Sequence, residues 1–284
     1  MKVITVENLT YYYPGSTKPA LKNVSIEIER GDFIIITGPS GSGKSTLIRT
    51  FNGLIPHFYK GRFEGRVLVF GVDTRKASVA ELSRKVGMVF QDPENQILTL
   101  SVEREIAFGL ENLGINPKEI RRRVNESLRS LRIEHLRYRV PFELSIGEQQ
   151  KVVVAAILAM KPEVLVFDEP TAHMDPLSAL MFAEILGELN KQGYTIIVVE
   201  HRLDLLVKYA NRIVVLKDGK IVKIGDPLEV LAEEDIENAG INVPKYITLF
   251  KRLRSYVSIA TIPKSADEAS KMLREIAYGN SNRG

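Results

Sequence analysis

The run Gly38-Pro39-Ser40-Gly41-Ser42-Gly43-Lys44-Ser45-Thr46 has the spacing G-x-x-x-x-G-K-S-T and the chemistry of a phosphate cradle. Its glycines let the backbone turn tightly and aim N–H groups at phosphate oxygens. Lys44 supplies a cation for the β and γ oxygens, and Ser45 offers a hydroxyl to Mg²⁺. A helix beginning at Lys44 adds the positive end of its dipole. The context suits the loop, since residues 33–37 read as a buried parallel strand and residues 45–52 as a helix. The implied ligand is a nucleoside triphosphate.

Two carboxylates close another apolar run, Val164-Leu165-Val166-Phe167-Asp168-Glu169. Hydrolysis of a phosphoanhydride needs an Asp near Mg²⁺ and a Glu that orients or deprotonates the attacking water. Taken alone, the same residues fit a strand end capping a turn. His201 closes a third apolar run, residues 195–200, and strand carboxyl ends in an open parallel sheet line the ligand crevice. Ser145-Ile146-Gly147-Glu148 admits two readings. Ser-x-x-Glu is a capping box, and the same turn offers a hydroxyl and the bare Gly147 amide to an anion at a helix N-terminus. Capping leaves Gly147 unexplained, because glycine inside a helix costs about 0.5 to 1 kcal/mol relative to alanine.

These groups need a scaffold, and the hydrophobic pattern supplies one. Residues 3–9, 21–28, 33–37, 66–69 and 86–90 read as strands, followed by helical periodicity through 102–113, 119–131 and 147–160. Strand and helix then alternate again: 164–167, helix 177–191, 195–199, helix 203–210, and 213–216 paired across Asp218-Gly219 with 220–224. A helical insert over about residues 95–162 therefore splits a nucleotide-binding core. Helical pieces at 228–239 and 264–278, separated by Asn242-Val243-Pro244 and a β-like run at 256–262, form a small C-terminal extension over 227–284. The tail 279–284 is expected to fray.

Composition narrows the class. With 284 residues, 44% hydrophobic and 26% charged, the chain is ordinary for a globular protein. Its longest apolar run, residues 152–160, is far below the roughly 18 residues a spanning helix needs. The absence of cysteine excludes disulfides and thiolate metal sites, and four scattered histidines make no ligand spacing. His57, His135 and His173 read as structural, surface or loop residues. The N-terminus shows strand-like alternation rather than a signal peptide, so a cytoplasmic location is expected. A net charge of +4 is too small to choose between nucleic acid and an anionic membrane surface, and Arg121-Arg122-Arg123 reads as a solvated helix face.

Together and in this order, the motifs resemble the ATP-binding cassette of ABC transporters, over Met1 to Gly225. The resemblance implies an α/β P-loop NTPase cassette, residues 1–226, with a RecA-like core, an antiparallel β subdomain and the inserted helical subdomain. It implies ATP and Mg²⁺ as ligands, with Lys44 on phosphate, Ser45, Asp168 and Gln91 near the metal, Glu169 as general base and His201 as the switch histidine. Tyr13 matches the aromatic that stacks on adenine, although Tyr11 and Tyr13 also fit as plain strand residues on one face. Gln91 matches the Q-loop glutamine that couples to a transmembrane partner, and Asp175 matches the D-loop. Leu144-Ser145-Ile146-Gly147-Glu148-Gln149 matches the signature that faces the γ-phosphate of the opposite subunit in a head-to-tail dimer, so a second cassette, identical or different, is an implied partner.

Within that superfamily, Phe90-Gln91-Asp92-Pro93-Glu94-Asn95-Gln96 and Glu200-His201-Arg202-Leu203-Asp204 look like the energy-coupling factor type, which serves cobalt, nickel and vitamin uptake. That likeness places the chain peripherally on the cytoplasmic face of the cell membrane, with Asp92, Glu94 and Gln96 as candidate contacts for an integral membrane partner. One position departs from the pattern. Ile146 stands where the signature has glycine, so either it is helical with its side chain turned away or the signature is weakened. A cassette ATPase acting as a mechanical clamp on nucleic acid is the alternative, but such proteins carry a long coiled-coil insert or two cassettes. A regulatory module without turnover fits poorly with Asp168, Glu169 and His201 together.

Overall fold

Period-two alternation decides which side of the main sheet each strand residue serves. The computed structural model describes residues 1–257, 259 and 261–279. In chain order, β1 (Lys2–Tyr12), β2 (Leu21–Glu29) and β3 (Phe33–Thr37) precede the phosphate loop and α1 (Lys44–Arg49). Next come α2 (Leu54–His57), β4 (Arg62–Val69), β5 (Val72–Asp73), α3 (Val79–Ser83) and β6 (Val86–Val89). The helices α4 (Val102–Asn112), α5 (Pro117–Ser130) and α6 (Ile146–Ala159) follow with no strand between them. Alternation returns with β7 (Val164–Asp168), α7 (Pro176–Lys191), β8 (Thr195–Val199), α8 (Leu203–Leu206), β9 (Arg212–Lys217) and β10 (Lys220–Gly225). Three further helices are α9 (Pro227–Ala232), α10 (Lys245–Leu253) and α11 (Ala266–Gly279).

The main sheet has the order β10-β9-β3-β8-β7-β6, parallel except for the β9–β10 hairpin. Every residue of β3, β7 and β8 is buried, as expected of strands covered on both faces. Phe33, Ile35, Leu165, Phe167, Ile196 and Val198 face a core shared with α4 to α7. Ile34, Ile36, Val164, Val166, Ile197 and Val199 face the other way, onto α1 and the four-stranded antiparallel sheet β2-β1-β4-β5. The carboxyl ends of β3, β7 and β8 therefore emerge side by side.

Several boundaries differ from the sequence pattern. The α1 helix stops at Arg49 rather than reaching Asn52, because Thr50 and Phe51 donate to Leu47 and Ile48 in tighter three-residue turns. The predicted helical piece 228–239 breaks after Ala232, where Glu233 is extended at ψ 144, and resumes as a single turn over Ile236–Ala239. The described residues of the β-like run 256–262 form no strand: Tyr256 and Val257 donate to the Leu253 carbonyl and leave α10 in turns. Residues 258 and 260 of that run, and 280–284 of the tail, lie outside the described residues. Beyond β10, Val230, Leu231, Ile236, Val243 and Ile247 join the core that contains Phe33 and Ile35.

Candidate active site

Gly38 leaves β3 at φ +148, and a Cβ there would stand 2.0 Å from the Leu216 carbonyl oxygen of β9. Only glycine lets the loop cross so close to its neighbouring strand. Gly41 then turns the loop at φ +74 in open space. Lys44 folds back over the loop, its Nζ donating to the carbonyls of Gly38 at 2.9 Å and Pro39 at 3.0 Å. Burial pushes this ammonium below the usual lysine range, while Glu169 and Asp168 pull it back up.

Ser45 Oγ donates to Asp168 Oδ1 at 2.9 Å. Burial at the end of β7 pushes the Asp168 carboxyl above the usual carboxylate range, against the Ser45 bond and the Arg49 charge. Arg49 reaches to 3.9 Å from Asp168 Oδ2, with its guanidinium 5.1 Å from the Tyr59 ring centre. Glu169 is a non-glycine residue at φ +49, a conformation costing about 1 to 3 kcal/mol that persists where its surroundings impose it. Its N–H donates to the Val199 carbonyl at 3.0 Å, which fixes the turn onto β8. Its Oε1 lies 3.3 Å from His201 Nε2.

A cavity of about 300 Å³ opens over the loop, lined by Tyr13, Ala20, Ser40 through Thr46 and Glu169, while His201 lines a neighbouring cavity. Tyr13 pairs its hydroxyl with Thr46 Oγ1 at 3.1 Å, and its ring meets Tyr11 and Tyr59 edge-on. The structure thus brings Tyr13, Lys44, Ser45, Asp168, Glu169 and His201 together. It leaves Gln91, Ser145, Gly147, Glu148 and Asp175 off the lining. Gln91 is exposed, and among the described residues no hydrogen bond ties it to Ser45 or Asp168.

Apart from Gln91, each of the outlying residues has a local role. Ser145 and Glu148 form the capping box of α6: the Ser145 Oγ and N–H donate to Glu148 Oε2 at 2.8 and 3.0 Å, holding that carboxyl below its usual range. Ile146 is the first residue of α6 and is 42% exposed, so it is helical with its side chain turned outward. Gly147 has a packing reason, since a Cβ there would meet Ser178 Cβ of α7 at 3.3 Å. Asp175 caps α7 by accepting from the Leu177 and Ser178 amides at 3.0 Å.

Asp92 and Glu94 are exposed, but Gln96 is turned inward. Its Oε1 accepts from Phe90 N–H at 2.7 Å and its Nε2 donates to the Met88 carbonyl, so the amide braces the turn it was expected to present to a partner. His173, read as a loop residue, sits in a loop and places Nε2 3.3 Å from Asp92 Oδ1. His57 is structural, its Nε2 2.8 Å from the Thr74 carbonyl. Sequence reasoning missed Arg49 beside Asp168 and Glu105, a buried carboxylate whose Oε2 accepts from Leu98 and Thr99 amides and shapes the segment after Gln96. An acidic residue among the apolar positions of α4 was the available signal for Glu105.

With this geometry in view, comparison with known proteins is decisive. The sequence profile of the ABC transporter family matches residues 21–172. The chain belongs to the ABC transporter ATP-binding cassette family. A Pyrococcus abyssi protein named as an ABC transporter ATP-binding protein is 44% identical over 256 residues, covering 89% of this chain and 91% of its own length. A Pyrococcus horikoshii protein of the same description is 42% identical over 276 residues, covering 96% and 97%. Among solved structures, cbiO1 from Clostridium perfringens, part of the ABC transporter complex cbiONQ, superposes with TM-score 0.75 at 35% identity, covering 88% of this chain and 99% of that one. A dimeric cassette in a post-hydrolysis state with ADP and Pi superposes with TM-score 0.68 at 32% identity, covering 78% and 98%.

The fold is therefore the P-loop ABC cassette, with its antiparallel sheet and helical subdomain. The cassette binds ATP and couples its hydrolysis to transport. Cassettes of this family dimerise and work with transmembrane subunits. No helix among the described residues is long and apolar enough to cross a membrane.

Proposed function

We propose that this cassette is the ATP-hydrolysing subunit of an energy-coupling factor type uptake transporter for a metal ion, cobalt or nickel, or a vitamin. The observation that carries the catalytic part is the convergence of Lys44, Ser45, Asp168, Glu169 and His201 at the carboxyl ends of β3, β7 and β8, with Ser45 bonded to Asp168 and Glu169 facing His201. The likeness to cbiO1 and the Phe90 to Gln96 sequence support the transporter type. The cassette proper is residues 1–226, with the helical subdomain at about 95–162, and residues 227–284 are an extension that serves dimerisation.

In this reading Lys44 and the glycine-loop amides hold the β and γ phosphates, and Tyr13 releases Thr46 to stack on adenine. Glu169 takes a proton from the attacking water, with His201 holding its carboxylate and sensing the γ-phosphate. Ser45 and Asp168 suit Mg²⁺: two hard oxygen donors 2.9 Å apart, one a buried carboxylate whose charge is left under-compensated. The ion would be held largely by nucleotide oxygens, with Gln91 approaching on closure. Such an ion neutralises phosphate charge as it develops. Ser145, Gly147, Glu148 and Asp175 act on the nucleotide of a second cassette, which accounts for their distance from this cavity.

Asp92 and Glu94, with the exposed Leu98 and Leu100 beside them, form the surface for a membrane partner on the cytoplasmic face. Purification of the tagged chain from membranes tests this. Co-purification of an integral membrane protein that stimulates ATP turnover and takes up labelled metal or vitamin supports the reading. Turnover stimulated by DNA or RNA instead would refute it.

A further inference from the structure

Glu200, the residue after β8, is 2% exposed and stands directly before His201. A carboxylate so buried needs donors on both oxygens, and it has three. Its Oε2 accepts from the Thr171 hydroxyl at 2.6 Å, and its Oε1 accepts from the N–H groups of His201 at 2.8 Å and Arg202 at 3.1 Å. Arg202 returns the link, its Nη1 donating to the carbonyls of Thr171 and Met174 at 3.4 Å.

These bonds join the segments that follow β7 and β8, beyond the last ladder contacts at Asp168 and Val199. Thr171 is fully buried two residues after Glu169, and His201 follows Glu200. Glu169 and His201 face each other across 3.3 Å, so the clasp beneath them fixes the backbone on both sides of that gap. A hydroxyl side chain at position 200 could not accept all three donors in this arrangement, whereas an ionised carboxylate satisfies each of them.

We propose that Glu200, with Thr171, is a positioning residue that sets the Glu169–His201 geometry and thereby the rate of ATP hydrolysis. The proposal rests on the roles given above to Glu169 and His201. Glutamine is the conservative replacement, because its oxygen can serve the two amides while its nitrogen donates to a Thr171 hydroxyl turned to accept.

The test measures kcat, the KM for ATP and the melting temperature in the assembled transporter, for Thr171→Val, Thr171→Ser, Glu200→Ala, Glu200→Gln and the reference variant Glu169→Gln. Thr171→Val and Glu200→Ala are expected to lower kcat about tenfold or more with KM for ATP within about twofold, because small misplacements of reacting groups fall on the chemical step. Thr171→Ser and Glu200→Gln restore most of kcat, and the double variant Glu200→Ala with Thr171→Val falls no further than Glu200→Ala. If Glu200→Ala does not fold, the Thr171 pair decides. An unchanged kcat in Thr171→Val beside a lowered melting temperature overturns the proposal, as do equal losses in Thr171→Val and Thr171→Ser. If Glu169→Gln keeps parental turnover, the reading of Glu169 fails and this proposal with it. If Glu169→Gln is inactive while Thr171→Val is not, the positioning role alone fails.

Discussion

Replacing Gly38 by alanine should be far more damaging than the same change three residues later. The added Cβ would lie 2.0 Å from the Leu216 carbonyl oxygen, where ordinary contact begins at 3.4 Å. Leu216 cannot retreat easily, since it pairs with Ile221 of β10 and its neighbour Val215 pairs with Thr37 of β3. Overpacking costs about 1 to 3 kcal/mol and an unsuitable φ about as much again, so the total is about 2 to 6 kcal/mol. That is a large share of the roughly 5 to 15 kcal/mol that holds a domain folded. Gly41→Ala meets no atom within 4 Å and carries only its φ of +74, worth about 1 to 2 kcal/mol. Urea unfolding and ATP titration of both variants measure the two ways of absorbing the strain. If the loop keeps its path, Gly38→Ala loses unfolding free energy; if the loop yields, it loses ATP affinity. A Gly38→Ala protein matching Gly41→Ala in both would refute the close-approach argument.

Two further outcomes follow from the same geometry. Asp168→Asn should stabilise the nucleotide-free protein against unfolding, because burial raises the Asp168 pKa and so penalises its charged form in the fold. The sign follows from linkage: below the ordinary value of 3.8 the group is neutral in both states, and the penalty grows as pH rises from 3.8 and is complete above the raised folded value. The advantage of Asn therefore shrinks as pH falls toward 3.8 and reverses when ATP and Mg²⁺ are added at neutral pH, which urea melts across pH would show. Ile146→Gly should cost at most about 0.5 kcal/mol in stability, since glycine differs from isoleucine by about that in helix propensity and the position is the first of α6, while leaving ATP turnover in the assembled transporter within a few-fold. Turnover rising from near zero would mean that Ile146 obstructs the signature.

The parts legible in the sequence were those written in contiguous residues. Burial on both faces forces unbroken apolar runs at β3, β7 and β8, and the chemistry sits immediately after each run, at the phosphate loop, Asp168-Glu169 and His201. The Ser145–Glu148 box was equally local, and the structure forms it. The helix α10 was legible as well, since Tyr246, Leu249, Phe250 and Leu253 repeat at helical spacing, but the run is short and follows Pro244 closely. The β-like pattern at 256–262 misled for a different reason: Tyr256 is 84% exposed and meets no strand, so propensity there had no sheet to act on. Thr171 with Glu200, Arg49 with Asp168 and Gln96 with Phe90 are contacts that local patterns do not encode. The packing of Gly147 on Ser178 likewise needed α6 and α7 to be placed.

The account stands or falls on whether Glu169, held at φ +49 against His201, is the group that activates water. Steady-state ATP hydrolysis by Glu169→Gln in the assembled transporter, with ATP affinity measured on the same sample, tests this most directly. The account predicts parental ATP affinity with turnover reduced at least about a hundredfold, the lower range for loss of a general base. Rapid hydrolysis by Glu169→Gln at parental affinity would contradict it.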